Sequence, residues 1–306
     1  MKYPYLIIAS LFVFSFGCNT NTTDSPENEK PVVVATTSIV ADIAKNICSD
    51  FADVKSLMGP GVDPHLYKAS HGDIELLTNA DVVIYNGLHL EGKMSEILEK
   101  LKSSKTVIAV SDGVDDASIR TINEEADVHD PHIWFDVAIW SNGVQHVSES
   151  LKKKYPSHKD QIEKNTSTYL NAIDSVNKEC IKLVESLAIE KRILITSHDA
   201  FEYFGRSYDF KVRGLQGIST LSESGLKDVT DMVNFIIDNK IKAVFVENSV
   251  PPKALRSVID GCKAKGHDVT VGGELFSDAL GADRTPEGTY LGMIYFNVET
   301  VINGLK

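Results

Sequence analysis

HKDQIEKNTSTYLNAIDSVNKECIKLVESLA, residues 158–188, is the stretch whose reading decides the fold. Ile162, Thr166, Tyr169, Ile173, Val176, Cys180, Leu183 and Leu187 follow one another at alternating intervals of four and three, and no Gly or Pro lies between His158 and Ala188. That period predicts one amphipathic helix of about 30 residues, roughly 45 Å long. A coiled-coil seam is the competing reading. About four heptads with Thr and Cys in the seam support it weakly. A single helix packing against structure on both sides of it in the chain fits better.

Outward from this helix the pattern changes on both sides. Upstream, Val32–Thr36, Val54–Met58, Asp81–Tyr85 and Thr106–Val110 are short β-branched runs that read as buried strands. Helices separate them: Ile39–Ile47 with Ser38 as its cap, a helix opened by a Ser70/Asp73 capping box, and one around Met94–Leu101. Ser111–Asp130 is an acidic loop without a clear period, and Trp134 and Trp140 begin a helix running to about Tyr155. Downstream, Arg192–Thr196, Lys211–Gly214, Ala243–Glu247 and Val269–Gly272 read as strands. Gly225–Asn239, Pro252–Lys265 and Gly288–Asn303 read as helices. Strand–helix alternation predicts mostly parallel sheets with helices on both faces. The expected fold is therefore α/β, with two lobes joined by one long backbone helix. Its expected units are a leader at 1–18, a tether at 19–30, a first lobe at 31–156, the linking helix at 157–189 and a second lobe at 190–306.

Four short segments stand out within the lobes: GPGVDPHLY (Gly59–Tyr67), DPHIWFD (Asp130–Asp136), ITSHDAFEYFG (Ile195–Gly205) and GGELFSDALG (Gly272–Gly281). They supply His65, His132, His198 and Asp278. Three imidazoles and a carboxylate make a complete four-coordinate shell for a borderline transition metal. Two fall in each half, so the metal is expected between the lobes. His65, His198 and Asp278 each lie shortly after an expected strand, at the carboxyl edge where open α/β sheets collect ligands. Pro64 and Pro131 each precede a histidine and fix the backbone φ on the approach. His71, His89, His129, His146, His158 and His267 read as hydrogen-bonded or surface groups.

These segments, with YNGLHLEGKM (Tyr85–Met94) and GLQGIST (Gly214–Thr220), resemble those of the solute-binding proteins of zinc/manganese ABC importers, most like the TroA type. The resemblance covers nearly the whole chain after residue 30. It implies two α/β lobes on a backbone helix and the metal ligands His65, His132, His198 and Asp278. Asp63 and Glu247 are implied neighbours supporting the ligands from behind. The implied cargo is one Zn²⁺ or Mn²⁺ ion, delivered to a membrane permease and its ATPase. Two departures bear on the metal. The long His- and acid-rich loop of many zinc relatives is reduced here to Ser111–Asp130 with His129. Many manganese-selective relatives carry Glu where this chain has His198, which favours zinc.

The N-terminus agrees with an extracytoplasmic protein. Lys2 precedes an apolar run, Tyr5–Phe16, of signal-peptide length, ending at Gly17-Cys18. Ser15–Cys18 resembles a bacterial lipobox but lacks its usual Leu and small residue. Cys18 is the expected lipidation site, with simple cleavage and release as the alternative, and the polar Asn19–Lys30 is the expected flexible tether to a bacterial membrane. A net charge of −12 over 306 residues argues against nucleic acid as a partner. Cys48, Cys180 and Cys262 form no CxxC pair and read as small buried thiols. The chain is expected to be a monomer and not an enzyme. The alternatives are a metal-dependent hydrolase using the same ligands, or a surface adhesin. Neither HExxH, GxSxG nor a P-loop occurs. Free histidine titrates near 6.5, so affinity is expected to be flat above about pH 7.5 and to fall with a limiting slope of three protons.

Overall fold

The computed structural model describes residues 30–123, 125 and 128–306. The leader, Cys18 and nearly all of the tether lie outside the described residues.

The first lobe is built on β1 (Val32–Ala35), α1 (Ser38–Cys48), β2 (Asp53–Ser56), α2 (His71–Asn79), β3 (Val82–Tyr85), α3 (Ser95–Lys102) and β4 (Thr106–Ala109). The strands form one parallel sheet in the order β2-β1-β3-β4. Strand side chains alternate between faces, and here both faces are covered. Val33, Ala35, Val82 and Ile84 face α1 in one core cluster. Val34 and Val83 face Leu77 of α2 and Leu98 of α3 in another. This is why β1 and β3 carry continuous β-branched runs. Edge strand β2 is half-exposed, and its sequence alternates accordingly. Ser70 and Asp73 form the expected reciprocal cap of α2.

The acidic loop is more structured than its sequence suggests. Thr121–Asn123 (β5) and Val128–His129 (β6) pair as an antiparallel hairpin. Trp134 does not begin a helix. It lies on a single 3₁₀ turn, Ile133–Phe135, and Asp136 caps the following helix α4 (Val137–Lys154) through the amides of Ala138 and Ile139.

α5 (Lys159–Glu185) is the predicted rod, 27 residues and about 40 Å long. Its buried stripe follows the four-three pattern read from the sequence at Ile162, Thr166, Tyr169, Ile173 and Cys180. Val176 and Leu183 are only partly buried, Val184 is buried in the last turn, and Leu187 lies beyond the helix. It packs on α1 and α4 of the first lobe and on the last helix of the second. Tyr169 Oη donates to Asp42 Oδ2 (2.6 Å) in α1, and Tyr208 Oη of the second lobe donates to Asn177 Oδ1 (3.1 Å). Arg192 donates to the Val184 and Leu187 carbonyls, placing a cation at the negative end of α5.

The second lobe contains β7 (Ile193–His198), α6 (Glu202–Tyr208), β8 (Lys211–Gln216), α7 (Leu226–Asp238), β9 (Ala243–Glu247), α8 (Lys253–Ala264), β10 (Thr270–Leu275) and α9 (Tyr290–Leu305). Its strands pair in parallel as β7–β8 and β9–β10, with β7 beside β9. β7 is longer than its β-branched run. Pairing continues to His198 opposite Gln216, so His198 is the last residue of the strand and not two residues beyond it. Gly214 permits this, because a Cβ there would stand 2.5 Å from the His198 carbonyl carbon.

The lobes share one apolar core rather than meeting at a thin hinge. A single cluster runs from Val33 and Ile84 through Trp134, Phe135, Phe201 and Phe204 to Tyr290 and Met293. Phe135 stacks on Phe201 at 4.5 Å between centroids. Trp134 Nε1 donates to the Ser277 carbonyl (3.0 Å), and Tyr290 Oη to the Trp134 carbonyl (2.9 Å). Thr37, not Ser38, caps α1. Ser38 Oγ instead accepts the Leu280 amide (2.9 Å) across the interface. Cys48, Cys180 and Cys262 are buried free thiols, as expected.

Candidate metal centre

Each of the four candidate residues is delivered by a loop or strand end at the interface. His65 lies in the long β2–α2 connection, His132 just after β6, His198 at the end of β7 and Asp278 three residues past β10. All four are buried, at 4% exposure or less. One ligand atom from each lies within 4.8 Å of those of the other three.

The separations match a small ion. Metal–nitrogen bonds near 2.0–2.1 Å in a tetrahedron put neighbouring ligand atoms about 3.3 Å apart. His65 Nε2 and His132 Nε2 are 3.3 Å apart, and His198 Nε2 is 3.3 Å from Asp278 Oδ2. His132 Nε2 is 3.5 Å from Asp278 Oδ1, and His65 Nε2 is 3.9 Å from Oδ2. Both carboxylate oxygens thus face imidazoles. Despite their proximity, His198 Nε2 and Asp278 Oδ1 are buried without an aligned hydrogen-bond partner. Two orphaned polar atoms aimed at one point are costly unless a ligand sits between them.

The rings are oriented from behind. His198 Nδ1 is 2.5 Å from Glu247 Oε2, and its backbone N–H donates to Oε1 (2.9 Å). Glu247, at the end of β9, therefore holds the His198 ring. His132 Nδ1 is 2.7 Å from Asp130 Oδ1, which also accepts the His132 backbone N–H (3.0 Å). In both pairs the carboxylate favours hydrogen on Nδ1, which turns Nε2 toward the metal position. The sequence alone assigned Asp130 no role at the site. The signal was available, because Asp130-Pro131-His132 repeats Asp63-Pro64-His65. In both repeats the aspartate accepts the backbone N–H of the histidine two residues on (2.8 Å for His65). They differ in the second oxygen. Asp63 Oδ2 takes the Thr220 hydroxyl of the other lobe (2.5 Å), so Asp63 ties the two lobes instead of orienting the His65 ring.

The electrostatics divide the histidines. Burial disfavours charge on His198, but Glu247 and Asp278 outweigh it and hold the imidazole well above its ordinary value. Burial pushes His65 down to about 3, against the pull of Asp278. For Asp278 itself burial favours the neutral acid, yet the surrounding imidazoles keep it below the usual carboxylate range. The carboxylate is therefore ionised, as a ligand must be. The other histidines do not join the cluster. His158, for example, stacks on Phe51 at 4.4 Å, at the first-lobe end of α5.

The chain resembles known proteins over most of its length. The family model for the periplasmic zinc-uptake complex component A matches residues 33–304. The manganese-binding lipoprotein MntA of Bacillus subtilis (strain 168) is 44% identical over 290 residues, 95% of this chain and 94% of that one. The zinc-binding protein TroA of Treponema pallidum (strain Nichols) is 45% identical over 294 residues, 96% and 94% of the two chains. The solved structure of the periplasmic zinc-binding protein TroA from T. pallidum superposes with a TM-score of 0.88 at 46% identity, covering 90% of this chain and 99% of that one.

Proposed function

The chain belongs to the zinc-uptake complex component A family, and from that premise we propose that it captures one divalent transition-metal ion outside the cytoplasmic membrane for an ABC importer. As a substrate-binding lipoprotein it is held at the membrane by a lipid anchor, and it passes its cargo to the permease that the ATPase drives. Cys18 is the proposed attachment point, and a monomer the proposed working form. The proposed units are lobes at 31–156 and 190–306, with the backbone helix at 157–189 between them.

The observation that carries this reading is the tetrahedron-sized gap between three Nε2 atoms and the Asp278 carboxylate. His65, His132, His198 and Asp278 are the proposed ligands. A hydrolase would need a position open to water and a free general base. The gap is instead ringed by four donors, and Asp130 and Glu247 are already bonded to ligand rings. Members of this family are binding proteins, so the enzyme reading is set aside, and nothing supports the adhesin reading.

Zinc is the proposed cargo. Relatives described as manganese- and zinc-binding are equally similar, so the argument rests on the donors. Three imidazoles and one carboxylate are softer than the carboxylate-richer set that suits Mn²⁺. Metal titration should show one ion bound per chain. Mass-spectrometric analysis of protein purified from its native host should find one equivalent of zinc. Manganese in its place would overturn the choice of metal, and no uptake of either ion would overturn capture itself.

The pH dependence should depart from three histidines titrating together. Glu247 and Asp278 hold the His198 imidazole above its ordinary value in the metal-free site, so protons should compete for its Nε2. Metal must displace a proton from Nε2, so affinity should keep rising with pH through neutrality and fall as pH drops. His65, held near 3, adds no proton competition between pH 5 and 8. The limiting slope in that window should stay below three protons per metal and above zero. Zinc affinity measured with a buffered indicator from pH 5 to 9 tests this. A slope of three, or none, would contradict it.

A further inference from the structure

Behind the ligands, where the β5–β6 hairpin meets α6, one side chain reaches both lobes. Arg120 Nη1 lies 3.2 Å from Asp130 Oδ2 and 3.8 Å from Asp199 Oδ2, and Nη2 lies 3.8 Å from Glu202 Oε1. Asp130 belongs to the first lobe and holds the His132 ring through its other oxygen. Asp199 directly follows His198 in the second lobe, and Glu202 opens α6. The Arg120 backbone N–H also donates to Tyr203 Oη (2.9 Å), which donates in turn to the Asp130 carbonyl (3.1 Å).

We infer that Arg120 is a positioning residue for metal retention: its guanidinium ties the segment carrying His132 to the segment carrying His198, and so slows release of the ion. The inference rests on the metal-capture reading. Three carboxylates crowd this spot, and Asp199 Oδ1 is buried without a partner. Without the guanidinium between them, Asp130 on one lobe and Asp199 and Glu202 on the other repel. That repulsion acts directly on the backbones that set the His132–His198 separation. The two ring-orienting carboxylates also differ here. Asp130 shares its charge with Arg120, while Glu247 is bonded to the His198 ring and its backbone. Arg120 fixes where Asp130, and through it the His132 ring, can sit.

The test is the rate of zinc release into excess chelator, measured by stopped flow on the folded chain and compared with the melting temperature. Arg120→Gln should release zinc about tenfold faster, the lower end of what loss of a ligand-orienting partner costs. Arg120→Lys should fall between, because it keeps the charge and loses the planar fork. Asp199→Asn with Glu202→Gln removes the second-lobe half of the bridge. Adding Arg120→Gln to that pair should then change the rate far less than it does alone. A purely structural role would lower the melting temperature of Arg120→Gln and leave that coupling at zero. With wild-type zinc binding intact, an unchanged release rate in Arg120→Gln overturns this inference alone. A wild type that takes up no zinc overturns the capture reading with it. Should Arg120→Gln fail to fold, the wild type still decides. Arg120 is 35% exposed, so about 1 M salt, with a Debye length near 3 Å, should speed release severalfold. A salt-independent rate would then overturn the inference.

Discussion

Replacing His198 by alanine should weaken zinc binding by about two orders of magnitude. Four-ligand structural zinc sites in zinc-finger peptides bind with about 10–16 kcal/mol at neutral pH, and on that scale one ligand in four carries roughly 3 kcal/mol, or about a hundredfold. His198 should sit at the upper end of the four. Its ring is fully buried and clamped on Nδ1 by Glu247, so its Nε2 is preorganised before the ion arrives. Its removal also strands the Glu247 carboxylate in the core without its imidazole partner. His65→Ala, His132→Ala and Asp278→Ala should each cost at least tenfold. His158→Ala should leave affinity unchanged, since that ring stacks on Phe51 away from the cluster. Competition with a fluorescent zinc chelator measures all five variants on one scale. If His158→Ala weakened binding as much as His198→Ala, the ligand set would be wrong.

Stripping the metal should lower the melting temperature by about 6 °C. A ligand that binds only the folded chain stabilises it by RT ln(1 + [L]/Kd), about 4 kcal/mol at a thousandfold excess. An unfolding entropy of about 2.1 cal/mol/K per residue gives a chain of 306 residues a shift of roughly 1.5 °C per kcal/mol. The four proposed ligands come from both lobes, so a bound ion would also cross-link segments distant in sequence. Without it the site keeps a buried carboxylate with an unpaired Oδ1 and an imidazole with an unpaired Nε2. Calorimetry of verified metal-free and zinc-loaded protein measures the shift. It should shrink markedly in His198→Ala. Superimposable melting curves would rule out a metal site between the lobes.

Much of this protein is written in local patterns. The four-three spacing from Ile162 to Cys180 determined α5 because helix periodicity depends only on near neighbours. The runs VVVA and VVIY determined β1 and β3 because a parallel strand covered on both faces must be apolar at every position. The DPH, SHD and SDA segments marked the candidate ligands by residue type and setting. Three things were left to the tertiary structure. The end of β7 is one: its last two residues, Ser197 and His198, are not β-branched and join the strand because β8 pairs with it across Gly214. The partners of the ligands are another. Asp130 and Asp63 sit in the same local motif, yet one holds an imidazole and the other a threonine hydroxyl from the opposite lobe. The third is the shared core, in which Trp134, Phe201 and Tyr290 meet although no sequence period links them. Covalent neighbours dictate helices, strands and turns. Asp130 meets its imidazole within a local motif. Glu247, by contrast, reaches His198 across 49 positions because β9 lies beside β7, and Asp63 reaches Thr220 across 157 because the lobes pack together.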